Sequence, residues 1–429
     1  MEEDYDVVIA GAGPSGSEAA RTIASRGHDV AVLESESEDK YPAQSNKSTA
    51  GTFPRMMGDF YIPDDVVMKN TDSVVVESPN HSYETAQTGS VLEFGDFKEY
   101  MAEQAQDLGT DYIFDSHVTE PLIEDGSVQG IRYNGDEEIY ADIVIDATGP
   151  SAPIAQDEEA GFINLESENR AVGWEYLLED VELDAEGHSD LTDSMMLRLD
   201  HEIAPGGYSW IFDAGDGKAK VGLCYMDNDA HTRYADEDFM VLDSLEEWIV
   251  EDERFPELDE RDDIDPLEKH QGSAHIQVPD EVSAESVMGV GDTVSTVDPL
   301  WGEGIDTGMK SGNMAGVTAL EALGQDPVDT SEEMMEQYDE GWWNEIGENR
   351  WERNFMTHMM YRMENDRYDR LIQDMKNADQ DALSELNNGN LVQGLRLMEV
   401  KDIPTIAEVG KDRIGKHPKI KGLKHRLEK

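Results

Sequence analysis

Only one cysteine, Cys224, stands among 429 residues, so the chain cannot form an internal disulfide or build a cysteine-rich zinc or iron–sulfur site. No metal site is expected. Cations are scarce as well: 33 Lys plus Arg face 96 Asp plus Glu, a formal net charge of -63. Such a field repels phosphate backbones and excludes nucleic acid as a partner. No run of 18 apolar residues occurs, which argues against a membrane-spanning helix, and the acidic opening MEEDYD does not read as a signal peptide. The expected location is the cytoplasm, either free or peripheral on the inner face of the cell membrane.

With 38% hydrophobic residues the chain is poor in core-forming material, a composition that can signal disorder. The pattern argues for a folded protein instead. Short apolar runs such as Val7–Ala10 and Ile143–Asp146 recur between glycines, and 7 Trp, 15 Tyr and 10 Phe are available for cores. The acids are spread along the chain rather than gathered in a tail. That distribution suits concentrated salt, where a screening length of about 3 Å at 1 M suppresses self-repulsion, so a halophilic source is expected.

An apolar strand over 6–10, small residues at helical spacing over 15–26 and a second strand over 30–33 spell a βαβ unit. Gly11, Gly13 and Gly16 form G-x-G-x-x-G at its first turn, with Pro14 and Ser15 between them and Glu34 closing the second strand. Gly11 suits a tight turn, Gly13 lets backbone approach a pyrophosphate, and Gly16 lets helix and strand pack closely. The helix N-terminus would hold the phosphates, and Glu34 would accept from ribose hydroxyls. This fingerprint does not separate NAD from FAD.

Further along, a helix is expected over 97–108, strands over 112–118 and 130–133, and a turn at Asp125-Gly126, whereas 41–90 shows no regular pattern. From 155 to 270 four β-favouring stretches (GWEYLLED, SMMLRLD, GYSWIFD, KVGLCYM) point to an antiparallel sheet. A strand over 287–291, a helix over 304–323 and a long Met- and aromatic-rich helical stretch over 331–375, opened by a capping box of Thr330 and Glu333, follow. The aromatic cluster of Trp342, Trp343, Trp351, Phe355, Met359, Met360 and Met363 reads mainly as helical core. The last 19 residues, from Lys411, carry eight cations against two acids.

In VMGVGDTVSTVDPLWGEGIDTGMKSGNMAG a strand precedes Gly291-Asp292, and a glycine-rich loop leads into a helix lined with small residues. This arrangement suits a ribityl chain and a flavin ring, with Asp292 on ribityl hydroxyls and backbone N–H groups around Gly302, Glu303, Gly304 and Ile305 near the reduced ring. Together with PGGYSWIFDAGDGKAKVGL, these segments resemble the geranylgeranyl reductase family of FAD enzymes from Tyr5 to about Gly316. The family carries Tyr-x-Trp-x-Phe-Pro, followed after seven or eight residues by Gly-x-Gly. Here Tyr208, Trp210 and Phe212 match, while Asp213 replaces the proline and Cys224 the second glycine. Where archaeal members carry a cysteine, this chain has NKSTAG, with Ser48 or Thr49 in its place. DATGPSAP resembles the element that related flavoproteins set beside the cofactor, which adds Thr148 and Gly149 to the cofactor candidates.

The resemblance implies an α/β fold: a three-layer FAD domain built from 1–40, 91–155 and 272–328, and an inserted antiparallel β-sheet substrate domain from 41–90 and 156–271. A helical region over 329–410 and a basic tail over 411–429 complete the expected organisation. The implied reaction reduces isolated prenyl double bonds with FAD, the substrate being digeranylgeranylglycerophospholipid, a prenyl-quinone side chain or another isoprenoid. Ferredoxin, reduced flavin or NAD(P)H would supply electrons, and the basic tail would touch anionic lipid. Tyr208, Trp210 and Phe212 would line the pocket, and the catalytic acid is left open. A flavin monooxygenase or halogenase of the same fold, and a redox carrier without prenyl substrate, are the competing classes.

Overall fold

In a computed structural model the described residues are 4–42, 51–255, 258, 260–378, 383 and 390–417. The strands in chain order are β1 (Tyr5–Ala10), β2 (Val30–Leu33), β3 (Gly51–Thr52), β4 (Val67–Glu77), β5 (Ser82–Leu92), β6 (Asp111–Ile113), β7 (Val118–Glu124) and β8 (Ser127–Tyr133). They continue with β9 (Glu137–Asp146), β10 (Arg170–Leu178), β11 (Ser194–Arg198), β12 (Gly207–Gly215), β13 (Lys218–Met226), β14 (Glu268–His275), β15 (Ser283–Ala284) and β16 (Val287–Gly289). Helices used below are α1 (Pro14–Ala24), α2 (Pro54–Asp59), α3 (Phe94–Gln106), α4 (Asp229–Tyr234), α5 (Val241–Glu251), α6 (Ile305–Leu323), α7 (Glu332–Glu345), α8 (Arg350–Met360) and α9 (Asn365–Asn377).

The chain divides into two compact units: 1–46, 94–166 and 274–348 form the first, and 47–93, 167–273 and 349–429 the second. In the first unit β9, β1, β2 and β6 run parallel, with β16 parallel to β9 on the other side. Val7 and Ile9 bury one face of β1 with Ala19 and Ile23 of α1, Ala315 and Ala319 of α6, and Trp342 of α7. Val8 and Ala10 bury the other face against Val128 and Ile131 of the β7–β8–β9 meander. Burial on both faces explains why VVIA is a continuous apolar run rather than an alternating one. The result is three layers: helices, parallel sheet and meander. The Asp125-Gly126 turn joins β7 and β8 with both residues at positive φ, as a tight hairpin requires.

The second unit holds an eight-stranded sheet in the order β14-β10-β13-β12-β11-β4-β5-β3. Its β10, β13, β12 and β11 pair antiparallel, but β11 pairs β4 in parallel, so the antiparallel expectation fails at one seam. One face packs Tyr176, Ile211, Val221 and Leu223 on Leu245 and Trp248 of α5. The other carries Leu177, Met195, Trp210 and Phe212, with Tyr208 and Cys224 partly buried beside them.

Three expectations need correction. Residues 67–92, read as irregular, form the long β4–β5 hairpin, whose polar outward positions hid the strand pattern. The helical stretch over 331–375 is three helices: Asn349 in a left-handed conformation separates α7 from α8, and the extended Glu364 opens α9. Consequently α7 belongs to the first unit and α8 and α9 to the second, instead of forming a region of their own. The capping box is absent. Ser331 is the N-cap and its side chain caps nothing, while Thr330 receives the hydroxyl of Ser286 at 2.9 Å.

Candidate functional site

The glycine fingerprint separates into two kinds of glycine. Gly11, at φ +107, passes so close to Ala147 that a side chain would overlap the Ala147 carbonyl, and a side chain on Gly16 would overlap the Gly11 carbonyl. The protein's own packing requires both. Gly13 is different, because a Cβ there would meet no protein atom within 4 Å. Gly13 caps α1 without a side-chain hydrogen bond, Pro14 follows, and the first turn holds no acid in a chain with 96 of them. The resulting positive helix end, with open space in front of it, fits a pyrophosphate.

Glu34 is buried, 6% exposed, and ties this turn down. Its Oε2 accepts the Ala12 N–H at 3.1 Å and its Oε1 the Glu36 N–H at 2.9 Å. Oε1 also accepts the Ser35 hydroxyl at 3.1 Å, so Oε2 is the oxygen that retains acceptor capacity for a ribose hydroxyl.

Ser15 links the fingerprint to the second segment. A Cβ on Gly291, which sits at φ +62, would stand 2.5 Å from Ser15 Oγ, and one on Gly312 of α6 would overlap the Ser15 carbonyl. The Gly291 N–H donates to Ser311 Oγ at 2.9 Å. Small residues on α6 thus bring α1 and the Gly291-Asp292 turn together. The third segment joins through Thr293, whose Oγ1 accepts the Gly149 N–H at 3.0 Å. Thr148 is held by Asp146, whose Oδ1 accepts the Thr148 N–H at 3.0 Å and hydroxyl at 2.6 Å, while Oδ2 accepts from Ile154 and Ala155 at 3.2 and 2.9 Å. Burial pushes the Asp146 carboxyl upward even with these donors. Asp146 was missed as a positioning residue; a lone acid ending an apolar strand was its signal.

The loop at Gly302, Glu303, Gly304 and Ile305 differs from expectation in one respect. The Gly302 N–H, expected to face a reduced ring, donates to Asp298 O at 2.9 Å, and Glu303 Oε1 accepts the Asp306 N–H at 2.7 Å at the start of α6. Nearby, the buried hydroxyls of Ser295 and Thr307 have no hydrogen-bond partner. Buried hydroxyls left without a partner are groups that a bound polar ligand would satisfy.

In the second unit, Tyr208, Trp210 and Phe212 alternate along β12 and share a face. Across β13, Cys224 stands opposite Tyr208 and Gly222 opposite Trp210, and any side chain at Gly222 would overlap the indole. The indole N–H donates at 3.0 Å to Oε2 of Glu175, an acid that sequence reasoning passed over inside GWEYLLED. Burial pushes the Cys224 thiol up to about 12, against the lowering effect of hydrogen bonds with Tyr208. Asp213 points the other way and accepts the N–H groups of Asp193 and Gly215, so of the two departures from the family motif only Cys224 lies on the aromatic face. Ser48 and Thr49 lie outside the described residues. Just beyond them, a Cβ on Gly51 would stand 2.9 Å from the Phe212 ring, which brings the end of that segment to the same face. Of the helical aromatic cluster, Trp342 lies in the core of the first unit, whereas Trp351 stacks on Phe355 in the second at 5.2 Å.

Among the described residues no group of His, Cys, Asp and Glu could hold a metal ion, and no helix is long and apolar enough to cross a membrane. A family model described as glucose inhibited division protein A matches residues 6–173. The digeranylgeranylglycerophospholipid reductase of Haloferax volcanii is 49% identical over 96% of this chain and 99% of its own. A second reductase of that name from Methanopyrus kandleri is 28% identical over 94% and 95%. Among solved structures, a geranylgeranyl bacteriochlorophyll reductase-like protein from Thermoplasma acidophilum superposes with a TM-score of 0.75 at 20% identity, covering 99% of both chains. A flavin-dependent brominase reaches 0.66 at 17% identity, covering 90% and 94%. At these identities the last two likenesses establish the fold alone.

Proposed function

This chain belongs to the digeranylgeranylglycerophospholipid reductase family, and from that premise we propose that it saturates isolated double bonds in the geranylgeranyl chains of archaeal ether phospholipids, with FAD as its cofactor. The observation that carries this reading is the 49% identity running across 99% of the Haloferax volcanii enzyme. Gly11, Gly13, Pro14, Ser15 and Gly16 would hold the pyrophosphate, and Glu34 the adenosine ribose. Thr148, Gly149, Gly291 and Asp292 would hold the ribityl region, and Glu303, Gly304 and Ile305 the ring end. When bound and reduced, FAD supplies a hydride.

The second unit would be the substrate-binding unit. Tyr208, Trp210 and Phe212 give it flat apolar walls that exclude water from a prenyl chain. An isolated alkene accepts hydride poorly, so the protein must hold the bond within about 3–3.5 Å of the donor and protonate the second carbon as the first is reduced. The electron donor would be ferredoxin, a reduced flavin carrier or NAD(P)H. The protein would work in the cytoplasm, touching the inner face of the membrane through the basic segment that begins at Lys411.

The test is anaerobic reduction of the purified flavoprotein in high salt with geranylgeranyl lipid extract, read by mass spectrometry. A gain of two hydrogens per saturated bond is expected. Saturation of a prenyl quinone alone would move the substrate, oxygen uptake with a hydroxylated or halogenated product would move the reaction, and purified protein without flavin would defeat the reading.

A further inference from the structure

The proton that this reaction requires has no thiol to come from. The chain's single thiol, Cys224, is raised to about 12 by burial and holds its proton too tightly for the task. The aromatic face does contain another acid. Glu175, 1% exposed, stands on β10 opposite Gly222, which in turn pairs with Trp210 on β12. Strand alternation sets it apart from Trp174 and Tyr176, which pack toward α5, and on the side of Leu177, Trp210 and Phe212.

Its two oxygens are treated differently. Oε2 receives the Trp210 indole N–H at 3.0 Å, a bond possible only because Gly222 has no side chain to block the ring. Oε1 is buried and has no hydrogen-bond partner. A buried carboxyl oxygen without a partner has given up the hydrogen bonds that water would supply and gained none in return. Among the described residues, ionisable groups on the neighbouring strands are Tyr208 on β12, Lys220 and Cys224 on β13 and the Glu268–His270 pair on β14, and the Tyr361 ring stands 6.4 Å from that of Tyr208. Lys220, two pairs along the ladder, donates at 2.9 Å to Leu92 O.

We propose that Glu175 is the catalytic proton donor, held by Trp210 and Gly222 with Oε1 turned toward the prenyl chain. The proposal rests on the reductase reading above. The Oε1–H bond breaks, its proton goes to one alkene carbon, and the alkene π pair forms that C–H bond. The neighbouring carbon takes the hydride with its own electron pair, and the O–H pair stays on Glu175 as carboxylate. Water restores the proton before the next turnover.

The test begins with Glu175→Gln, which keeps the shape and an acceptor for the indole but removes the acid. Flavin absorbance, melting temperature and retention of geranylgeranyl phospholipid should match the wild type, while the saturation rate falls about a hundredfold or more. Glu175→Asp should recover part of that rate. Should Glu175→Gln not fold, Trp210→Phe carries the test: with the indole donor gone Glu175 is no longer held, and the saturation rate should fall at least about tenfold with flavin absorbance unchanged. A wild type that saturates the lipid alongside a Glu175→Gln variant of equal rate overturns this proposal and leaves the reductase reading intact, as does a Trp210→Phe variant of wild-type rate. A wild type that saturates no prenyl lipid overturns both.

Discussion

Alanine at Gly13 and alanine at Gly16 should fail for opposite reasons, although both remove a glycine from one fingerprint. At Gly16 the new methyl would overlap the Gly11 carbonyl and come within 2.9 Å of the Ala147 methyl, so backbone must move and α1 must lift off the end of β1. Overpacking of that kind costs up to about 3 kcal/mol, and at about 2–4 °C per kcal/mol the melting temperature should fall by roughly 6–12 °C. At Gly13 the methyl meets no protein atom within 4 Å. There the cost is that of a poorer N-cap, below about 1 kcal/mol. The same methyl would stand in front of the first N–H groups of α1, where a pyrophosphate would approach. Losing two phosphate contacts at about 1.5 kcal/mol each weakens binding by about 3 kcal/mol, more than a hundredfold in Kd. Melting scans of flavin-stripped protein in molar salt, with FAD titrations followed by absorbance, measure both quantities. A Gly13→Ala protein that binds FAD as the wild type does, or that melts as low as Gly16→Ala, would refute the reasoning.

Asp146→Asn would turn an amide nitrogen toward two of four donors, which should cost about 2–4 kcal/mol and appear as a lowered melting temperature. The Cys224 thiol, ordinarily near 9 and held up to about 12, should react with a disulfide reagent at pH 8 far more slowly in native than in denatured protein. Because the native state keeps a proton that the unfolded state releases, stability from this group should fall as pH rises from 9 toward 12. Diluting salt from 1 M to 0.1 M lengthens screening from about 3 to about 10 Å, and at a net charge of -63 the melting temperature should drop by more than about 10 °C. Gly222→Ala should push the Trp210 indole off Glu175 and abolish lipid saturation with flavin content unchanged, as quantified from the visible spectrum and lipid masses.

What the sequence by itself determined is local and periodic. The spacing of Gly11 and Gly16 between two apolar runs dictates strand, turn and helix, because only glycine fits where backbones touch. The alternation of Tyr208, Trp210 and Phe212 puts three rings on one sheet face, because side chains on a strand repeat every two residues. The scarcity of cations was equally direct. What only the tertiary structure decided depends on partners far apart in the chain. Glu175 and Gly222 acquire their roles because β13 lies between β10 and β12. Asp146 acquires its role because four donors fold back over the end of β9. The Gly302 N–H was spent on a carbonyl four residues earlier, and Thr330 on Ser286 across 44 residues, choices that depend on which groups burial leaves without water. Propensity and period fix where elements form, and the demand that each buried polar group find a partner fixes which residues are left facing the ligand.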